Sequence, residues 1–598
     1  MKLNMRTLLY RVICLALLPS MAVTAADITP RLQSALAHAE PNDELVLWIY
    51  FKDKGARESM KSSVPRSVVS DRSLARRRNV LAADRLVDYT DLSIEERYVE
   101  GLRDNVLRVR QRSKWFNAVS VVATPDQIPP ISLLPYVREI DLVARFAKDR
   151  SREKGIPFDP DTESSIRKGS TVQTLNYGSS FSQVNLINIP PLHDANLAGD
   201  GVLVGVFDNG FRLLNHEAFQ SMSILATYDF VDNKESVVPD NPSPAFGSHG
   251  ISVLSVIGGY VSGTLSGPAF RATYLLARTE NDSSETPVEE DNWVAAIEWA
   301  DSLGVQVTNT SLGYLYYDPP YESWTWEDMD GRTTLISRAA TMAARKGIVV
   351  CNSAGNNGYH PERNTLNAAA DADSILAVGA ANPDGSRASF SSVGPTTDVP
   401  PRIKPDIMAQ GSQIVAASGS NPTGYILTQG TSLSSPLAAG TAALLIQAMP
   451  DASPMEVIEA LKSTASQASS PDNLNGWGII DAVDAVTDLT GTDTIVSPPL
   501  PEGFVLSQNY PNPFNTGTRL RYELPEAARV TIMVYDILGR EIRTLRDADQ
   551  RPGTFYVDWD GRDSDGVPVS SGVYVARFRA VGVSGSSAAL DRKMMRVK

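Results

Sequence analysis

At 598 residues the chain is several domains long, and 42% hydrophobic, 21% charged and 7% aromatic residues make it an ordinary globular protein, neither collagen-like nor disordered. Its formal charge of −14 offers no phosphate-neutralising surface, which argues against nucleic acid as a main partner. Of two cysteines, Cys14 lies in an N-terminal segment expected to be removed, so Cys351 is left alone and no intramolecular disulfide is available.

The chain opens with Lys2, Arg6 and Arg11, an apolar run from Val12 to Leu18, and the small residues Val23-Thr24-Ala25-Ala26. That is the plan of a secretory signal peptide over residues 1–26, cut after Ala25 or Ala26, because a bilayer span needs about 20 apolar residues. Residues 27–150 read as a small α+β unit: a strand at Leu45–Phe51, a basic helix from Arg72 to Asp84, a helix from Ile94 to Arg110, and strands at Ala118–Val122 and Val137–Leu142. The unit holds 21 Lys and Arg against 18 Asp and Glu, and its run Arg76-Arg77-Arg78 reads as a solvated helix face. A polar stretch, residues 151–175, follows as a linker.

Residues 176–490 contain most of the acidity, since positions 151–498 hold 17 Lys and Arg against 39 Asp and Glu. Short β-branched runs (Val202–Phe207, Val305–Asn309, Ile348–Cys351, Ile375–Val378) alternate with helical stretches (Asn292–Leu303, Thr333–Arg345, Ser434–Ala448). Such alternation predicts a three-layer αβα domain on a mostly parallel sheet. The acidic residues Glu289, Glu290, Asp291, Glu327, Asp328 and Asp330 read as solvated loops. Residues 491–503, with Pro498, Pro499 and Pro501, form a linker. From 504 to 598 the pattern has period two (Leu520, Tyr522, Leu524; Val530, Ile532, Val534) and predicts an all-β, immunoglobulin-like sandwich.

The chemistry is concentrated in the middle domain. The buried strand ending at Phe207 leads into Asp208-Asn209-Gly210, and in open α/β sheets sites lie beyond the carboxyl ends of strands. Of five histidines, His249 alone opens an apolar helix among small residues, in Gly247-Ser248-His249-Gly250. His38 precedes the first strand of the N-terminal unit, His193 and His360 lie in polar loop sequence, and His216 reads as a loop cap. Gly430-Thr431-Ser432 leads into a small-residue helix whose N-terminal amides favour a developing anion, and Asn356 follows the strand Ile348–Cys351 in Ala354-Gly355-Asn356. A hydroxyl, an imidazole, a carboxylate and an amide donor are the parts of serine-based acyl transfer. Taken singly, each is more often a turn or cap residue.

In order and wording these segments, with Asn309-Thr310-Ser311-Leu312-Gly313, Lys404-Pro405-Asp406 and Gly476-Trp477-Gly478, resemble the subtilisin-like serine peptidases from about Tyr177 to Val486. The resemblance implies Ser432 as nucleophile, His249 as base then acid, Asp208 as its orienting carboxylate, and Asn356 with the Ser432 amide as oxyanion donors. It also implies that Ser311, Leu312 and Gly313 pair with substrate backbone, and that Ser353, Ala354 and Gly355 line the pocket for the residue before the cut. Departures from the family pattern are Ile251 for Thr, Leu433-Ser434 for Met-Ala, and Gln410 for Pro. Cys351 reads as a buried strand residue, not a second nucleophile.

Trp115-Phe116-Asn117-Ala118-Val119-Ser120 and Leu134-Pro135-Tyr136-Val137 resemble the inhibitory propeptide of these peptidases, which implies an intramolecular inhibitor and autoprocessing. Tyr510-Pro511-Asn512-Pro513-Phe514-Asn515, Val534-Tyr535-Asp536-Ile537-Leu538-Gly539-Arg540 and the closing Arg592–Lys598 resemble the sandwich shared by type IX secretion signals and a flagellar hook-capping protein. Peptide or protein substrates, a secretion machinery as partner, and an extracellular or outer-surface location in a Gram-negative-type bacterium follow from the resemblance. No metal or cofactor is expected in catalysis. Asp558, Asp560, Asp563 and Asp565 hint at structural calcium, although a hairpin turn is favoured because no bidentate Glu closes a ligand loop. The competing account is an inactive adhesion or carbohydrate-binding protein on the same scaffold.

Overall fold

The computed structural model describes residues 25–144, 156–158, 175–491 and 503–597, apart from 242, 244, 284, 319–322, 510, 511, 516, 551 and 552. The signal segment to residue 24, most of the 151–175 linker and the 492–502 stretch lie outside the described residues. Among the described residues, no helix is long and apolar enough to cross a membrane.

The N-terminal unit is a five-stranded sheet built from β1 (Asp27–Ile28), β2 (Leu45–Phe51), β3 (Arg108–Ser113), β4 (Ala118–Ala123) and β5 (Val137–Ala144), in the order β1-β5-β2-β4-β3. Two of its helices, α1 (Asp71–Arg77) and α2 (Glu96–Arg103), are shorter than the sequence pattern suggests. The expected helix to Arg110 ends at the cap residue Asp104, and Arg108–Ser113 continues as a strand. There the sequence changes from helical spacing to Val109 set between arginines, which suits an extended edge.

The middle domain has seven parallel strands: β6 (Leu203–Asp208), β7 (Ser223–Asp229), β8 (Thr273–Arg278), β9 (Val307–Thr310), β10 (Val349–Ser353), β11 (Leu376–Ala381) and β12 (Ile407–Gln410), ordered β12-β11-β10-β9-β6-β8-β7. Both faces of the central strands are buried. Val204 and Val206 join a core with α3 (Ser248–Gly258), while Leu203 and Phe207 pack with α4 (Val288–Leu303) and α5 (Leu335–Arg345). The long helix α6 (Thr431–Ala448) lies on the α3 side and is buried over almost its whole length. This is the three-layer αβα arrangement read from the alternation of runs.

The C-terminal unit is an antiparallel sandwich of a three-stranded and a four-stranded sheet. The alternating residues Leu520, Tyr522, Leu524, Val530, Ile532 and Val534 are all buried in its core, around Trp559 and Phe578. Asp560 pairs with Arg543 at 2.9 Å and accepts from the Arg562 amide, and Asp563 accepts from the Asp565 and Val567 amides, so these two carboxylates close turns.

The N-terminal sheet lies against α4, and here two sequence expectations are corrected. Glu289, Glu290 and Asp291 are not solvated loop residues but the buried first turn of α4. Asp291 accepts hydrogen bonds from Trp48 Nε1 at 2.6 Å and from Ser120, and Glu298, two turns on, accepts from Ser113 Oγ at 2.5 Å and the Lys114 amide at 2.9 Å. Arg76 and Arg77 are not a solvated face either: both are buried. Arg76 meets Asp301 at 2.5 Å, and Arg77 bridges Asp91 at 2.7 Å and Asp301 at 2.6 Å, with Lys346 also on Asp91. Buried guanidinium groups need such carboxylates, because their desolvation is otherwise uncompensated.

Burial pushes the carboxyls of Asp291 and Glu298 up to about 7 each, against the pull of Arg110, Ser120 and Trp48 on the first and of Ser113 and Lys114 on the second. Both are therefore protonated more readily in the docked state than in solvent. Their contribution to docking is full below the ordinary carboxylate range and is lost as pH rises through about 7. Asp91 acts in the opposite sense: burial raises it, but Arg77 and Lys346 together hold it below the usual range, so its effect falls below about pH 4. The dissociation constant of a separately added 27–150 segment is expected to rise between pH 5 and 8, with a flatter profile for Asp291→Asn. A profile unchanged by that substitution contradicts the assignment.

Candidate active site

The site is formed where β6, α3 and α6 end or begin. Gly247, in the left-handed conformation at φ 68°, caps α3 and starts it directly over the end of β6. Gly250 allows that approach, since a Cβ there would lie 2.2 Å from the Gly210 carbonyl oxygen and 3.2 Å from Asp208 Cβ. The result places His249 Nδ1 2.7 Å from Asp208 Oδ1. The Asp208 side chain is fully buried and also accepts from the Asn209 amide at 2.9 Å, whereas His249 is 33% exposed. A carboxylate against Nδ1 favours the tautomer with its proton there, leaving the Nε2 lone pair as a base.

Ser432 is the second residue of α6, where unpaired amides and the helix dipole favour negative charge. Its carbonyl accepts from Ser311 Oγ at 2.7 Å, Ser311 accepts from Asn309 at 2.9 Å, and Asn309 in turn accepts from Ser435. Asn356 is aimed by its neighbour across the cleft: Oδ1 accepts from the Thr431 amide at 2.9 Å and the Thr431 hydroxyl at 3.0 Å. That leaves Nδ2 as the group offered to a ligand. The two reactive groups flank one small space, because a Cβ on Gly430 would sit 2.7 Å from Ser432 Oγ and 3.6 Å from Asn356 Nδ2. Glycine at 430, with φ at 145°, keeps that space open.

The structure brings the other expected residues to the same cleft. Ser311, Leu312 and Gly313 follow β9, and Ser353, Ala354 and Gly355 follow or end β10, with Ser353 Oγ donating to the Leu312 carbonyl at 3.3 Å. The three departures from the family pattern are accommodated locally. Ile251 and Leu433 are buried in the core, Ser434 Oγ donates back to Thr431, and Gln410 exchanges hydrogen bonds with Ser182 and Ser412. Cys351 is buried in β10, its thiol pushed up by burial, and has no part in the cleft. His193 is buried between Tyr177 and the Pro268 carbonyl and is driven down to about 4 by desolvation. His216 accepts from the Ala218 amide, as the cap reading requires.

Sequence reading missed the residues that hold this geometry. Thr431 stands inside the Gly430-Thr431-Ser432 motif, but its residue type gives no sign that it holds Asn356. Asp282 carries no local signal: it accepts from Asn209 Nδ2 at 2.7 Å and the Gly247 amide at 2.7 Å, while Asn209 Oδ1 accepts from the Gly250 amide. The pair braces the start of α3 from a loop that lies far off in sequence.

Fold and cleft together define a serine peptidase of the subtilisin type. Residues 199–478 match the Subtilase family model, residues 46–156 the Peptidase S8 propeptide domain of Bacteroidota, and residues 510–583 the FlgD Ig-like domain. The chain is 30% identical over 319 residues to serine protease AprX of Bacillus subtilis (strain 168), spanning 48% of this chain and 67% of that protein. It is 29% identical over 295 residues to subtilisin DY of Bacillus licheniformis, spanning 49% and 92%. The chain belongs to the subtilase family. Its fold also resembles the crystal structure of fervidolysin from Fervidobacterium pennivorans, a keratinolytic enzyme related to subtilisin, at a TM-score of 0.52 and 18% identity over 93% of this chain and 73% of that one.

Proposed function

We propose that this subtilase is a secreted endopeptidase made as a precursor, with Asp208, His249 and Ser432 as its triad. The observation that carries the reading is the 2.7 Å Asp208–His249 contact in a cleft where Ser432 Oγ and Asn356 Nδ2 flank one space. Ser432 attacks the peptide carbonyl as His249 Nε2 takes its proton. The resulting imidazolium is stabilised by buried Asp208 and then protonates the leaving amine. Asn356 Nδ2 and the Ser432 amide receive the oxyanion. Ser311–Gly313 hold the substrate backbone, and Ser353–Gly355 form the wall beside the residue before the cut. The set contains every group that acyl transfer needs, so no metal or cofactor is assigned to the chemistry; calcium, if bound, is structural.

The N-terminal domain is the intramolecular inhibitor in this account. Support comes from its polar anchoring on α4 and from Ile156–Phe158, whose backbone pairs antiparallel with Tyr425–Leu427, just before Gly430. The segment expected to be processed thus follows directly on a strand paired with the one that leads to Gly430 and Ser432. Residues 1–26 direct the first export step, and the sandwich carries the second as a type IX sorting domain. Full-length chain in a native-type host is expected to release casein-hydrolysing activity into the medium. A chain lacking residues 504–598 is expected to keep that activity in the periplasm. Absence of hydrolysis in both compartments contradicts the peptidase reading, and normal release of the truncated chain contradicts the sorting role alone.

A further inference from the structure

The two walls assigned to the cleft, Ser311–Gly313 and Ser353–Gly355, are stitched to one further segment that the catalytic reading leaves unused. Its backbone reaches both. Tyr314 and Ala368 exchange amide-to-carbonyl hydrogen bonds at 2.9 and 3.0 Å, and the Asn367 amide donates to the Ala354 carbonyl at 3.2 Å. Main-chain contacts alone therefore fix Asn367 between the two walls.

The half-buried Asn367 side chain then spans the gap. A Cβ on Gly313 would lie 2.7 Å from Asn367 Cβ, and a Cβ on Gly355 would lie 3.0 Å from both Cγ and Oδ1 of the same residue. Each wall thus presents bare glycine backbone to one asparagine. That asparagine is held at both ends of its amide: Nδ2 donates to the Gly313 carbonyl at 3.3 Å, and Oδ1 accepts from Asn357 Nδ2 at 2.7 Å. Asn357 is anchored in turn, its Nδ2 also donating to the Thr365 carbonyl at 3.0 Å and its backbone amide to Ser392 Oγ at 3.1 Å. Every partner in this set is neutral, so a charged group brought between the walls finds no opposite charge among them to offset its desolvation.

We propose that Asn367 sets the substrate preference of this chain. Its side chain floors the pocket for the residue before the cut, makes that pocket shallow and uncharged, and so selects small uncharged side chains such as Ala and Ser over aromatic and charged ones. Asn357 is a positioning residue that acts through Asn367 Oδ1. The proposal rests on the peptidase reading, since it takes Ser311–Gly313 and Ser353–Gly355 as the walls around that side chain. A phenyl ring enters only when Asn367 gives up both of its side-chain hydrogen bonds, and a Lys or Glu end enters only by losing its own hydration.

The test compares kcat/KM of the processed enzyme on one series of peptide p-nitroanilides that differ only in the residue before the cut: Ala, Ser, Phe, Lys and Glu. The wild type is expected to favour Ala and Ser over the other three by about tenfold or more, the scale on which a closed pocket rejects extra groups. Asn367→Gly, which opens the floor, is expected to raise the Phe-to-Ala ratio by about tenfold or more. Asn367→Asp, which places a carboxylate between the walls, is expected to raise the Lys-to-Ala ratio by a similar factor. Asn357→Ala, a change at an exposed position that the fold tolerates more readily, is expected to shift the Phe-to-Ala ratio in the same direction by less. Unchanged ratios in Asn367→Gly and Asn357→Ala, whether the activities hold or fall together, make the pair a brace between loops and overturn the proposal. A wild type that prefers Phe or Lys overturns it too, with the peptidase reading left standing. A wild type inert toward the whole series contradicts the peptidase reading itself, and the proposal with it.

Discussion

Ser432→Ala is expected to leave the chain as an uncut precursor and to lower turnover on casein by about 10⁶, the scale known for loss of the serine in a subtilisin. The argument is chemical. Ser432 Oγ and Asn356 Nδ2 border one space that Gly430 leaves clear, and Cys351, the other candidate nucleophile, is sealed inside β10 with a thiol pushed up by burial. With the hydroxyl gone, His249 retains Asp208 but has no proton to take. The precursor outcome follows from the proposed autoprocessing, which is supported by the pairing of Ile156–Phe158 with Tyr425–Leu427 in the strand that precedes Gly430 and Ser432. Gel mobility and N-terminal sequencing from a host without other proteases read it directly. Normal processing of the variant contradicts autoprocessing.

Asn356→Ala is expected to lower kcat by roughly 10² to 10³ with a smaller change in KM, the size measured when a subtilisin loses its oxyanion amide. An oxyanion donor acts on charge that develops in the transition state, so its loss falls on turnover more than on binding. Two Thr431 hydrogen bonds hold Asn356 Oδ1, and this pins Nδ2 toward Ser432 before any substrate arrives. Preorganisation of that kind is what makes one amide worth so much. A loss in KM alone indicates that Asn356 only contacts the ground state.

Much of the fold was legible because burial leaves a local trace. Val202–Phe207 and Ile348–Cys351 read as strands covered on both faces, and Leu520, Tyr522 and Leu524 as one inward row, since each pattern repeats within a few residues. The candidate site was legible for a related reason: Asp208 ends β6, His249 and Ser432 stand in the first turns of α3 and α6, and Asn356 lies just beyond β10, each with its own wording. What stayed hidden depends on contacts between distant segments. Arg76 looks solvated until Asp301, 225 positions away, is found against it. Asp291 looks exposed until Trp48 and Ser120 cover it, across 243 and 171 positions. The overlong helix to Arg110 failed differently, because helical and extended patterns share apolar positions across a short boundary and only Asp104 marks the stop.

The central claim is that Ser432, activated by His249 and Asp208, is the nucleophile of a peptidase. A fluorescent serine-directed phosphonate, applied to the processed enzyme and followed by peptide mapping, tests it most directly. The account predicts one label per chain, on Ser432, appearing in step with the loss of casein hydrolysis and absent from heat-denatured protein and from His249→Ala. Full loss of activity with the label on any other residue, or complete labelling of Ser432 with activity retained, contradicts it.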